Sequence, residues 1–314
     1  MRIAILGATS EIARDLINAL WVNNKHELSL FSRRPSELEA WLRASNPAIN
    51  LPSYSFAAFS TLMKFDAILN FIGAGNPKII SMLGKSIIKL TQTYDQLVLD
   101  YLKIYPQCRY IFMSSGSIFG GNFNKPIDSS STPPKLNSLL KQNQSYQYAK
   151  LDAEVKHRKL IDTSITDLRI FNYFSHTQSI ESQFMMANIA KALLNKSILT
   201  ISPEPIVRDF LHPDDFYNLV ECILEAPPMN QAIDSYSKEP ISKYKLLESL
   251  QSNFDLHFKF NDASITANPT GIKSHYYSCN KFAQSLGYEP KYTSLEGITS
   301  ELSILLDGKS IQKL

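Results

Sequence analysis

Short apolar runs and amphipathic stretches alternate through the first half of the chain. Strand-like runs fall at 3–6, 27–31, 67–71 and 110–113, each short and rich in apolar residues. Between the first two, residues 11–20 repeat apolar side chains at Ile12, Leu16, Ile17 and Leu20, the spacing of one helix face. Residues 36–42 and the longer amphipathic stretch 88–105 also predict helices, and 53–56 admits another short strand. Alternation of this kind implies an α/β chain with a parallel sheet and helices on both of its faces. Beyond about residue 175 the pattern loosens. Helices are predicted at 182–194, 215–224 and 242–250, and strands at 232–235 and 256–260. Pro203, Pro205, Pro227 and Pro228 punctuate this half, and the stretch from Ser129 to Pro134 reads as loop.

Composition narrows the function classes. A chain of 314 residues can bury a sizeable core, as one large domain or two unequal ones. Its 44% hydrophobic and 19% charged residues are ordinary for a globular protein. The net charge of +3 is spread without a long basic run, which gives no case for nucleic acid or an acidic membrane surface as partner. No stretch approaches the roughly 18 uninterrupted apolar residues of a membrane span. The run from Met1 to Gly7 is too short for a signal segment and reads as a buried strand. Cys108, Cys222 and Cys279 show no metal-ligand spacing. An odd count without a secretion signal suggests free thiols and a cytoplasmic location.

Candidate chemistry begins where the first strand runs into Gly7-Ala8-Thr9-Ser10-Glu11-Ile12-Ala13 and then a helix. A tight turn there aims backbone N–H groups and a helix N-terminus at a pyrophosphate. Gly7, Thr9, Ser10, Glu11 and Ile12 are therefore cofactor-binding candidates. Ser10 and Ala13 stand near where the second and third glycines of the usual fingerprint would fall. An ordinary strand–helix turn is the alternative. The next strand ends in Ser32-Arg33-Arg34. An acidic residue here would bind the ribose 2′-hydroxyl of NAD, whereas arginine pairs with the 2′-phosphate of NADP. The expectation is NADP, with NAD as alternative; a solvated arginine pair opening a helix is the other reading.

A second constellation is Tyr146-Gln147-Tyr148-Ala149-Lys150. On a helix, residues four apart share a face, so phenol and ammonium can act on one substrate. A free phenol titrates near 10, and a nearby ammonium lowers that value by stabilising phenolate. The spacing alone is common, and Tyr277 with Lys281 repeats it. What favours the first pair is the upstream strand, which ends in Ser114-Ser115-Gly116-Ser117-Ile118-Phe119-Gly120. Ligands of parallel sheets bind beyond the carboxyl ends of the strands, where a hydroxyl could meet a carbonyl or alkoxide.

Ser-Ser-x-x-Ile-Phe-Gly followed by Tyr-x-x-x-Lys resembles the extended short-chain dehydrogenase/reductases, the NAD-dependent epimerase/dehydratase family, whose form is Ser-Ser-x-x-Val-Tyr-Gly. The likeness continues in order along the chain: Leu151-Asp152-Ala153-Glu154, then Leu168-Arg169-Ile170-Phe171-Asn172 and Val207-Arg208-Asp209-Phe210-Leu211-His212-Pro213-Asp214-Asp215. It closes with Leu286-Gly287-Tyr288-Glu289-Pro290 and Ser294-Leu295-Glu296-Gly297. The resemblance implies a Rossmann-type doubly wound parallel sheet with a smaller mixed C-terminal substrate-binding lobe. In that division 1–175, with 206–222 and 232–237 returning to it, binds the dinucleotide, while 176–205 and 238–314 form the lobe.

The resemblance also implies a soluble enzyme acting on a nucleotide sugar, in polysaccharide biosynthesis, and a homodimer. Ser115, Tyr146 and Lys150 would be catalytic, with Tyr146, Lys150 and Gly73 also at the cofactor. Ser117, Asn172 and Arg208 would bind substrate, the arginine at its diphosphate. Asn172 also reads as a turn residue bonding local backbone, and Arg208 as a structural partner of Asp214 or Asp215. His212 is expected to pack beside the sheet, and Asp214 and Asp215 to cap the following helix. The family's 4,6-dehydratases carry Asp-Glu after the catalytic threonine, where this chain has Gly116 and Ser117. That disfavours dehydration, and Arg33 with Arg34 favour NADP-dependent reduction of a nucleotide-linked 4-keto-6-deoxy sugar as the expected reaction. An NAD-dependent nucleotide-sugar epimerase is the alternative, followed by a non-catalytic nucleotide-binding protein. Ser10, Ala13, Ser175 and the segment from Asn70 to Gly75 depart from the family pattern. Ser117 and His176 are further acid–base candidates.

Overall fold

The computed structural model describes residues 1–45, 47–60, 63–75, 77–121, 123–141, 144–261 and 273–311. Strands β1 (Arg2–Leu6), β2 (Glu27–Ser32), β3 (Ser53–Ser55), β4 (Ala67–Asn70), β5 (Arg109–Ser115) and β6 (Ile165–Ile170) open the chain. Helices α1 (Glu11–Asn23), α2 (Pro35–Ser45), α3 (Pro77–Leu83), α4 (Ser86–Ile104), α5 (Leu136–Lys141) and α6 (Ser145–His157) are interleaved with them. There follow β7 (Asn172–Tyr173), α7 (Met185–Asn195), β8 (Leu199–Ile201), β9 (Val207–Arg208), β10 (Phe210–Leu211) and α8 (Pro213–Glu225). The last elements are β11 (Asn230–Asp234), β12 (Ile241–Ser242), α9 (Lys243–Phe254), β13 (Phe258–Phe260), β14 (His275–Tyr276) and α10 (Ser294–Ile311).

Among the described residues, seven strands form one sheet in the order β11-β6-β5-β4-β1-β2-β3, with parallel pairing throughout. Strands covered on both faces must be apolar on both, and β1 buries Ile3, Ala4, Ile5 and Leu6 completely. Alternate side chains then divide between two cores. Ile3 and Ile5 join Leu16, Ile17 and Leu20 of α1 and Phe216 and Leu219 of α8. Ala4 and Leu6 join Val98 and Leu102 of α4 with Tyr110 and Phe112 of β5. Each such aliphatic side chain contributes about 1.5–3 kcal/mol on burial. A third cluster gathers Met186 and Ile189 of α7, Leu246 and Leu250 of α9, and Ile298 and Leu302 of α10.

The periodic elements lie where the apolar pattern puts them, within a few residues. Two helices have no such signature: α3 buries none of its residues, and α5 has only six. Helix α7 starts at Met185 rather than Ser182, behind an extended Phe184. The expected capping of α8 by Asp214 and Asp215 is corrected. His212 is the N-cap, its Nδ1 accepting the Asp214 amide at 3.1 Å with Pro213 following it, while Asp215 accepts the amides of Lys291 and Tyr292. His212 is also buried, stacked on Tyr292 with ring centroids 3.9 Å apart. No helix among the described residues is long and apolar enough to cross a membrane.

Small pairings complete the frame. Strand β9 lies between β12 and β14, so that Arg208 pairs with both Ile241 and Tyr276. Strand β10 runs parallel to β7, and β13 to β8. These short ladders bring the 207–211 and 275–276 segments to the carboxyl ends of β5 and β6.

Candidate active site

The turn after β1 is shaped by a close approach. Gly7 has a φ of 78°, and a Cβ there would meet the backbone of Phe71 and Ile72 at 3.0 Å. Only glycine lets the turn lie so close to the segment after β4. Ser10, at the N-cap of α1, donates its amide to the Gly7 carbonyl and makes no side-chain bond to the helix. Thr9 sits within the turn and Ile12 packs against the core behind it. The Glu11 carboxylate instead accepts the Ser179 amide at 3.1 Å. At the end of β2, Ser32 is buried with a hydroxyl that has no hydrogen-bond partner among the described residues. Arg33 and Arg34 beside it are exposed, Arg34 paired with Glu37 at 2.9 Å.

Beyond β4, Asn70 accepts the Ile72 amide on its side-chain oxygen at 2.9 Å. The loop thus turns so that Gly73 faces Lys150: a Cβ on Gly73 would stand 3.4 Å from the ammonium. Lys150 is 4% exposed, donates to the Met113 carbonyl at 2.7 Å and lies 4.4 Å from the centroid of Phe112. Burial pulls its pKa down to about 8, against Asp95, Asp167 and Glu154, which raise it. Tyr146 stands one turn earlier on α6, with the Lys150 ammonium 6.0 Å from its ring. Its pKa is raised by burial, and the Ser115 hydroxyl bonded to it only partly offsets that. The spacing argument expected the ammonium to lower the phenol's pKa; burial instead raises it, and the group acting to lower it is Ser115 rather than Lys150.

Ser115 accepts the Ser117 amide at 3.2 Å, while the Ser117 hydroxyl is buried beside the Tyr276 phenol. Gly116 between them could carry no side chain, since a Cβ would fall 2.3 Å from the Phe171 ring. The residue that sequence reasoning missed is Tyr276. Its hydroxyl lies 3.4 Å from Ser115 Oγ, and its ring packs on Phe123 and Phe171. Burial pushes its pKa far up. Asn172 donates to the Tyr276 and Asp209 carbonyls, so its side chain does bond backbone. Arg208 pairs with neither Asp214 nor Asp215; it donates to the carbonyls of Val207, Lys273 and Ser274, 5.9 Å from the Tyr276 ring. Lys273 lies 4.8 Å from the same ring. Burial lowers both cations, Arg208 to about 10 and Lys273 to about 8, the lysine further by the arginine's charge.

The structure therefore gathers Ser115, Ser117, Tyr146, Lys150 and Gly73 at one place, with Asn172 and Arg208 reached across Tyr276. His176 instead bonds Glu301 at 2.7 Å. Tyr277 and Lys281 do not form a second site: Lys281 lies 3.7 Å over the Tyr236 ring and bonds the Ser237 carbonyl.

Comparison with known proteins gives three findings. A family model described as the NAD dependent epimerase/dehydratase family matches residues 3–236. No curated protein sequence matches the chain. Among solved structures, UDP-glucuronic acid 4-epimerase from Bacillus cereus, in complex with NAD, superposes with a TM-score of 0.76 at 18% identity, covering 98% of this chain and 99% of that one. A dTDP-glucose 4,6-dehydratase from Bacillus anthracis, also with NAD, gives 0.79 at 14% identity over 99% and 98%. A UDP-N-acetylglucosamine 4-epimerase from Methanobrevibacter ruminantium gives 0.79 at 16% identity, with the same coverage. At these identities the likeness is one of fold.

Proposed function

The chain belongs to the NAD-dependent epimerase/dehydratase family, and from that premise we propose that it uses NADPH to reduce a nucleotide-linked 4-keto-6-deoxy sugar. It is an enzyme with a nicotinamide dinucleotide as cofactor. The choice of NADPH rests on one observation: β2 ends at Ser32 and is followed by Arg33 and Arg34, with no carboxylate at the place where a ribose 2′-hydroxyl would be bound. The unpartnered, buried Ser32 hydroxyl beside two exposed guanidinium groups suits a phosphate ester.

The residues present fit a dinucleotide. Gly7 leaves backbone room for a pyrophosphate beside α1, and Thr9, Ser10 and Ile12 would flank it. Glu11 belongs to the same turn, although Ser179 engages its carboxylate. Gly73 and Lys150 would hold the nicotinamide ribose. Bound NADPH would supply the hydride for the carbonyl carbon. Ser115 would hold the carbonyl oxygen by its hydroxyl, and Tyr146, kept protonated by burial, would give that oxygen its proton. Lys150 would steady the phenolate left behind. Ser117, Asn172 and Arg208 would receive the nucleotide sugar, Arg208 at its diphosphate. The crowding of Gly116 by Phe171 excludes an acidic side chain there, which disfavours water elimination. The division into a dinucleotide-binding unit (1–175, 206–222, 232–237) and a substrate lobe (176–205, 238–314) belongs to the same reading. Positions 262–272 and 312–314 of that lobe lie outside the described residues.

The second reading is epimerisation with retained NAD, favoured by the two 4-epimerases of like fold. An assay offering NADPH and NADH with several nucleotide-linked keto sugars separates the two. Reduction with NADPH preferred is expected. A clear preference for NADH removes the arginine argument, and interconversion of unreduced nucleotide sugars without NADPH consumption establishes the epimerase.

A further inference from the structure

Behind the candidate site lies a buried polar chain that the proposed chemistry has not used. His157, on α6 two turns after Lys150, is completely buried and meets a carboxylate at each ring nitrogen: Asp167 at 2.6 Å from Nδ1 and Asp95 at 2.9 Å from Nε2. An imidazole that bonds carboxylates on both sides donates twice, and is therefore an imidazolium. Arg158 pairs with the other oxygen of Asp167. From Asp95 the chain continues: Tyr110 donates to Asp95 at 3.0 Å, Asn70 donates to the Tyr110 hydroxyl at 2.9 Å, and the Ile72 amide donates to Asn70. It ends at the residue before Gly73, which faces the Lys150 ammonium.

Lys150 has no ion pair among the described residues, although it is almost fully buried. An isolated ammonium in such a place tends to lose its proton. The charged and titratable groups around it come from α4, β5, β6 and α6 itself. They are Asp95 of α4, Tyr110 of β5, Asp167 and Arg169 of β6, and Tyr146, Glu154 and His157 of α6 itself. Arg169 neutralises Glu154 at 2.6 Å, with Asp234 of β11 beside it. Asp95 and Asp167 are left with His157 and Arg158. The Phe112 ring meets both Lys150, at 4.4 Å, and His157, at 5.4 Å and edge to face.

We propose that Asp95, His157 and Asp167 are positioning residues for the reaction, a buried charge cluster beside the Phe112 ring that sets the protonation of Lys150. The carboxylates favour the ammonium and the imidazolium opposes it, so the two kinds of group act with opposite sign on one lysine. Its importance for turnover rests on the reading of Lys150 as catalytic, but the charge of Lys150 can be followed without any substrate.

The test is the titration of Lys150 itself, followed by NMR on the full chain with isotope-labelled lysine and assigned by the resonance lost in Lys150→Arg. Asp95→Asn is expected to move the Lys150 midpoint down by roughly half a unit to one unit, and His157→Gln to move it up. Asp167→Asn repeats the downward shift if Asp95→Asn does not fold. Equal midpoints, or shifts in one direction for both kinds of variant, overturn the proposal. A merely structural role gives no opposed pair. The alkaline limb of turnover should follow the same two directions. If no keto sugar is turned over, the functional reading fails while the lysine titration still decides this one.

Discussion

A side chain that donates a proton must still hold it when the substrate arrives, and burial secures this for Tyr146. The phenol's elevated pKa and its contact with Ser115 suit it to the proposed role of general acid for an oxygen gaining negative charge. Replacing Tyr146 by Phe keeps the ring and removes the hydroxyl with its proton, so turnover should fall by roughly 10²–10⁴-fold. Cofactor affinity, measured by fluorescence titration, should change little; parallel losses of both would place Tyr146 in binding rather than in chemistry. Ser115, Tyr146 and Lys150 were legible in the sequence because short motifs fix them on a strand end and one helix face. Tyr276 was not. It reaches Ser115 only because β14 lies parallel to β9, a pairing of two-residue strands far apart in the chain that no local period encodes.

At the scale of the element, α6 shows why pattern reading has a limit. Its inward face carries Lys150, Glu154 and His157, all at most 4% exposed, at positions where a surface helix would present an apolar stripe. The strands and α1 followed their periods because burial alone shapes them, whereas α3 and α5 bury too little to leave one. The polar stripe of α6 makes a pH dependence. His157 gains two carboxylate partners on folding, which raise its pKa from 6.5 to about 9 although burial opposes them. A raised folded-state value means the contribution is complete below about 6.5 and is lost as pH rises through about 9. Lys150 and Lys273, lowered to about 8, act with the opposite sign only above that value. Between pH 6.5 and 8 the stability from urea unfolding should therefore fall, by roughly 1–3 kcal/mol at most. The slope should flatten in His157→Gln; an unchanged slope would assign it to another group, such as His176, which Glu301 also raises.

For the whole molecule, the question is what ties the short ladders around β9 to the main sheet. Asp209, inside the Arg-Asp-Phe motif and 4% exposed, is the joint. Both its oxygens accept the Ser237 amide at 3.1 Å, and one accepts the Ser294 hydroxyl at 3.2 Å. Ser294 in turn accepts the Phe210 amide at 2.9 Å. One carboxylate thus joins the link from β9 to β10, the turn after β11 and the start of α10. Its motif was visible in the sequence, but its task was not, because the partners come from three distant segments. Asp209→Asn places a donor where an acceptor is needed and leaves a buried polar group unpaired, at a cost of about 1–3 kcal/mol. The urea midpoint should fall accordingly. Stabilisation by added NADPH, expected if the proposed cofactor binds, should persist, because the partners of Asp209 lie in other segments than the Gly7 turn, Ser32 and Lys150. Loss of that protection together with the midpoint would mean that the ladders around β9 and the cofactor turn unfold as one unit.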